Sequence, residues 1–138
     1  MEKVIDQPFD PFNYRPSTDE PYMNGDQLKY FKNKLIQQKI ELVEKTGHRM
    51  EKIKNLKYAH ADIIDRSNSW IDIEAEITVF ERHSLLIKEI EKALERIEDG
   101  TFGYCEFTGK KIGIKRLEAM PCATLSIEAL ESLEEIRN

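Results

Sequence analysis

The sequence predicts a mainly α-helical fold: a long antiparallel coiled-coil hairpin that carries a small α/β module and ends in a C-terminal helix. Three observations predict it. Apolar residues recur at threes and fours along two stretches of roughly thirty residues each, the mark of a helix with one buried face. After Gly100 that period stops, and short apolar runs flank Thr108-Gly109-Lys110-Lys111, which reads as a small hairpin turn. Beyond Pro121, residues 127–137 again place apolar side chains three apart. The expected division is an extended arm over 1–25, a helical hairpin over 26–99 with its tip near 59–69, and the module with its closing helix over 100–138.

The arm holds four of the five prolines, Pro8, Pro11, Pro16 and Pro21. Proline fixes φ and lacks an N–H, so this stretch is extended and not helical. Phe9, Phe12, Tyr14 and Tyr22 interleave with the prolines. They suit an arm docked on the body and a mobile tail equally well.

The first helix opens at Asn24 or Asp26, either of which can cap it. Leu28, Phe31, Leu35, Ile36, Ile40, Val43, Met50 and Ile53 form its apolar stripe, with Gly47 as an interruption and a candidate bend. The second helix carries Ile73, Ile77, Phe80, Ile87, Ile90, Leu94 and Ile97, and it stops at Asp99-Gly100. Helices of about thirty residues are about 45 Å long. With a short connection they pair antiparallel as a coiled coil. In the module, Phe102 to Phe107 and Ile112 to Ile114 are the expected short strands. Phe102, Tyr104, Phe107, Ile112, Ile114 and Leu117 are the expected core. Ser126 caps the last helix, whose Glu128 favours the positive helix end.

Composition narrows the function. Charged residues make up 34% of the chain and apolar ones 40%, which fits long solvated helices over a thin core. A net charge of −5 argues against direct binding to nucleic acid. No apolar run reaches the roughly 18 residues of a membrane span. The N-terminus, MEKVIDQPFD, has no apolar core of a signal peptide, so a cytoplasmic protein with reduced thiols is expected. There is no nucleophile elbow, phosphate-cradling Gly loop or catalytic dyad, so no enzyme is expected. His48, His60 and His83 are scattered, away from any ligand spacing.

Residues 100–122, GTFGYCEFTGKKIGIKRLEAMPC, are the most informative segment. An aromatic, a Gly turn and Cys105 begin it as a zinc ribbon begins. The second thiolate of a C-x2-C knuckle would fall at Thr108, and the returning pair at Ser126 and Ala129. Zinc takes four Cys or His ligands, and one is present, so no metal is expected. Cys105 could be a lone zinc ligand, a redox thiol or a buried apolar residue. Neither Tyr104 nor Glu106 would activate it, which favours burial. A disulfide with Cys122 is left open by the sequence.

The run IEKALERIEDGTFGYCE, then IGIKRLEA, with YMNGDQL and DIIDR upstream, resembles the DksA/TraR family of bacterial RNA polymerase-binding factors over about residues 22 to 138. The resemblance implies a monomer whose hairpin enters the polymerase secondary channel and alters open-complex stability without binding DNA, with no cofactor. It places Asp62 and Asp65 at the active tip. From the residues alone, both are more simply solvated turn acids. The tip continues Ser67-Asn68-Ser69-Trp70 where the family has small and acidic residues. Arg82 and Arg116 match basic positions that contact the channel rim. Glu89, Met120 and Leu130 stand where relatives that share a (p)ppGpp site use basic groups, which implies a weak (p)ppGpp linkage at most, with Lys88 and Lys92 as neighbouring substitutes. Two rivals stand beside this reading: a Gre-like transcript-cleavage factor, and a structural or redox coiled-coil protein.

Overall fold

In the computed structural model, residues 10, 13–62 and 66–137 are described, with backbone alone at 61, 62 and 66–69. Four helices follow in order among them: α1 (Gly25–Asp62), α2 (Arg66–Asp99), α3 (Ile114–Ala119) and α4 (Ile127–Arg137). The chain packs as two compact units. Of the described residues, those up to 36 and from 92 onward form one, and those within 37–91 form the other.

Asn24 is the cap of α1. Its Oδ1 accepts the Gln27 N–H at 2.9 Å, and its carbonyl accepts from Leu28 at 3.0 Å. The helix runs on through Gly47, around which there is open space. α2 stops at Gly100, which takes φ 83°, so that the N–H groups of Thr101 and Phe102 fold back onto the Arg96 carbonyl. Only a residue comfortable at positive φ closes a helix this way.

Within 37–91 the two helix segments are antiparallel, as their ion pairs show: Lys39 with Glu91, and Arg49 and Lys52 with Glu76. The buried seam on α1 differs from the stripe expected. Ile40 and Val43 are at least half exposed, and Met50 is exposed as well. Buried or half-buried positions include Leu42, Thr46, Arg49, Ile53 and Leu56, at alternating steps of four and three. On α2 a matching row runs through Ile73, Glu76, Phe80, His83, Ile87 and Ile90, with Ile77, Val79, Ser84 and Leu86 half-buried beside it. That alternation is the 3.5-residue repeat of a coiled coil. The seam thus takes polar residues at Thr46, Arg49, Glu76 and His83, while several apolar residues lie on a neighbouring stripe. Thr46 is accommodated because its hydroxyl donates to its own helix, to the carbonyls of Leu42 and Val43.

In the other unit, Phe31, Leu35, Phe102, Ile112, Ile114 and Leu117 are buried. Phe31 packs on Phe102 and on Tyr30, at ring centroid distances of 5.7 and 5.2 Å. Two expected core members differ: Tyr104 is half-buried, and Phe107 is 65% exposed. Phe107 lies in the loop between Cys105 and Gly109, which Gly109 closes by donating its N–H to the Cys105 carbonyl. The expected hairpin reduces to one antiparallel bridge, Tyr104 with Lys111. Ile114, expected in a strand, starts α3 instead, because Gly113 at φ 104° redirects the chain there. In α4, Ser126 Oγ accepts the Ala129 N–H at 3.1 Å, so Ser126 is the expected cap. Ala129 is its buried residue, whereas Ile127, Leu130 and Ile136 are exposed.

The arm is docked from residue 13 to the start of α1. Gln27 is fully buried and ties it down: its amide donates to the Ser17 carbonyl and to Glu20, and its Oε1 accepts the Met23 N–H. Tyr14 donates to Glu20, and burial together with that carboxylate raises its pKa. Phe9 and Phe12 lie outside the described residues.

Candidate functional site: a ribbon knuckle and a helical hairpin

The knuckle is built on backbone. Cys105 donates its N–H to the Lys110 carbonyl at 2.7 Å, and Ile112 donates to the Gly103 carbonyl at 2.8 Å. Arg96 clamps the approach from the end of α2, its guanidinium donating to the carbonyls of Thr101 and Tyr104. Tyr22 clamps the other side. Its hydroxyl donates to the Gly103 carbonyl at 2.7 Å and accepts the Gly113 N–H at 2.9 Å, so one phenol bridges both limbs. Its ring packs edge-on to Tyr104 and carries the Lys111 ammonium. Gly103, at φ 91°, has no room for a side chain, because a Cβ there would meet Met23 at 2.8 Å.

Cys105 is 3% exposed, as burial predicts, but it is not an inert apolar residue. Burial disfavours its thiolate. Against that, the Thr108 hydroxyl and the backbone N–H groups of Ser126, Thr108 and Phe107 all donate to its sulfur, and the thiol falls to about 6. The sequence hid this, since most of the donors are backbone groups and one comes from a residue far along the chain. Thr108, Ser126 and Ala129 do gather at the knuckle, since Ser126 also binds the Ala129 N–H. They do not fit zinc. Two hydroxyls and a methyl supply no thiolate or imidazole, and among the described residues no group of three His, Cys, Asp or Glu could hold a metal. Cys105 and Cys122 are both buried, and neither is in a disulfide.

The other expected site residues are scattered. Asp62 is the last residue of α1, its side chain is not described, and Asp65 lies outside the described residues. Arg82 is exposed on α2. Arg116 on α3 is half-buried, with its Nε donating to the Leu125 carbonyl at 2.9 Å. Glu89, Met120 and Leu130 are exposed. No helix among the described residues is long and apolar enough to cross a membrane. Sequence reasoning missed one cluster, Lys45, His48, Arg49 and Lys52 beside Glu76. Its signal was the i, i+3, i+4, i+7 spacing of basic residues on α1.

A long antiparallel helical hairpin with a ribbon-like knuckle, whose four ligand positions hold one thiol, defines a class of helical proteins related to zinc-ribbon factors. Residues 27–97 match the family described as DnaK suppressor protein DksA, N-terminal domain, and residues 100–135 match the prokaryotic dksA/traR C4-type zinc finger. The chain belongs to the DksA family. It is 46% identical over 122 residues to the RNA polymerase-binding transcription factor DksA of Caulobacter vibrioides, covering 88% of this chain and 86% of that one. It is 36% identical over 128 residues to the protein of the same name from Escherichia coli, covering 93% and 83%. Among solved structures it is similar to transcription factor DksA2 from Pseudomonas aeruginosa, with a TM-score of 0.78 and 32% identity over 84% of this chain and 89% of that one. The C4 description and the knuckle disagree at three of the four ligand positions, and the knuckle keeps its shape through hydrogen bonds.

Proposed function

We propose that this chain regulates bacterial transcription by binding RNA polymerase directly, as a cytoplasmic, monomeric, non-enzymatic factor that does not bind DNA. The observation that carries this reading is the match of both parts of the chain, 27–97 and 100–135, to one family. Relatives named RNA polymerase-binding transcription factors align with about nine-tenths of the chain. In this reading the hairpin enters the secondary channel of polymerase. Asp62 and Asp65 act at its tip on active-site elements and shorten the life of promoter open complexes. Arg82, exposed on α2, and Arg116 contact the rim.

The tip and the binding surface separate in one experiment. Purified chain is captured on core polymerase, and open-complex lifetime is measured at a sensitive promoter with the parent and with Asp65→Asn. Capture by both, with a lifetime effect from the parent alone, is the expected result. If Asp65→Asn shortens open complexes as well as the parent does, the tip assignment is wrong. If neither protein is captured, the partner is wrong.

A further inference from the structure

The cluster on the middle of α1 is chemically unlike the rest of the chain. Between residues 45 and 60 there are five Lys and Arg against one acid, Glu51, in a protein of net charge −5. Four basic residues of this stretch, Lys45, His48, Arg49 and Lys52, line a cleft of about 240 Å³ together with Glu76 of α2. Glu76 is the cleft's single carboxylate. It pairs with Arg49 and with Lys52 at 3.0 Å, and those hydrogen bonds hold its pKa below the usual range. Lys45 and His48 have no ion-pair partner among the described residues. Arg49 sits in the seam, and its Nε is buried with no acceptor.

The geometry points to a binding site for a phosphoanhydride, the di- or triphosphate group of a small anion, held by Lys45, His48, Arg49 and Lys52. Three permanent cations face one carboxylate here, so the cleft attracts an anion of more than one charge. Guanidinium and ammonium groups bind phosphate oxygens through charge-assisted hydrogen bonds. The cleft is smaller than the ~300–1,000 Å³ of a site for a drug-sized ligand. It therefore suits the phosphates themselves, with any nucleoside left in solvent. The site lies on α1 and α2 within 37–91, and it does not depend on the polymerase reading.

The test is calorimetric titration of the full chain with inorganic pyrophosphate, orthophosphate and GDP at constant ionic strength. Pyrophosphate and GDP are expected to bind within about threefold of each other, and orthophosphate at least about tenfold more weakly. Lys45→Gln and His48→Gln alter exposed residues outside the ion pairs, so the fold is not at risk. Each should weaken pyrophosphate about three- to tenfold. Glu76→Gln, checked by melting, should tighten it severalfold by removing the competing carboxylate. Three outcomes overturn the site: no heat with pyrophosphate at millimolar concentration, the same affinity in Lys45→Gln and His48→Gln as in the parent, or binding of GDP without pyrophosphate.

Discussion

Replacing Cys105 with Ala tests how the knuckle holds without metal. The thiol lies at about 6 in the folded chain against 9.0 when unperturbed. A gap of that size corresponds to about 4 kcal/mol of linked stability at most, at about 1.4 kcal/mol per unit. The sign follows from a depressed folded value. The contribution is complete above the unfolded value, near 9, and it disappears as pH falls through 6. Near pH 7, about 1.4 kcal/mol remains. Alanine removes the ionising group and leaves the N–H groups of Phe107, Thr108 and Ser126 without their acceptor, which adds a roughly pH-independent 1–3 kcal/mol.

The assay is urea unfolding of the parent and Cys105→Ala, both in reductant, at pH 5.5, 7 and 9. Every other titrating group is common to the two proteins, so the difference between their stabilities isolates Cys105. That difference should be smallest at pH 5.5 and grow by about 3–4 kcal/mol by pH 9. Thiolate absorbance in the ultraviolet, present in the parent and missing in the variant, should titrate near pH 6 in the folded state. A difference that stays flat from pH 5.5 to 9, or that narrows as pH rises, refutes a hydrogen-bonded thiolate and leaves Cys105 a neutral buried thiol.

Tyr22→Phe keeps the ring but strips the bridge from the Gly103 carbonyl and the Gly113 N–H. It should cost about 1–3 kcal/mol in urea unfolding, and a loss under 0.5 kcal/mol means that the phenol is incidental. Chelator should leave the melting temperature unchanged, since the knuckle lacks a zinc donor set, and a fall of several degrees would contradict that. With a polymerase that lacks its internal nucleotide site, (p)ppGpp should barely move the midpoint of promoter inhibition by this chain. Exposed Glu89 repels phosphate, and Met120 and Leu130 donate nothing to it. A strong shift would show that Lys88, Lys92 or other groups take over.

Much of the secondary structure was legible because it is written locally. Asn24, Asp99-Gly100 and Ser126 punctuate the helices through bonds spanning a few residues; the sequence places the last two and narrows the first to Asn24 or Asp26. α3 escaped notice because six residues are too few to show a period. The seam was misread for a different reason. Hydrophobicity picks Ile40, Val43 and Met50, yet these face outward, and Thr46 and Arg49 face Glu76's helix. Arg49 can occupy the seam because Glu76 meets it there, and that pairing joins residues 27 apart. No window along α1 contains the partner that makes a half-buried arginine tolerable.

The same limit, in stronger form, governs the knuckle. The four ribbon positions read Cys, Thr, Ser and Ala, and counted as ligands they say only what is absent. What replaces the metal is spread over four segments. Arg96 satisfies carbonyls at 101 and 104, Tyr22 ties 103 to 113, and N–H groups at 107, 108 and 126 converge on one sulfur. Most of the groups these bonds reach are backbone, whose availability is independent of residue type. Zinc draws its ligands together by binding four thiolates. Here three side chains, Arg96, Tyr22 and Cys105, do the gathering by satisfying backbone groups. Thr108 and Ser126 keep the two loops in place by donating to the one thiolate that is left. On this view Cys105 is the centre of the knuckle, and it should tolerate substitution less well than Thr108, Ser126 or Ala129.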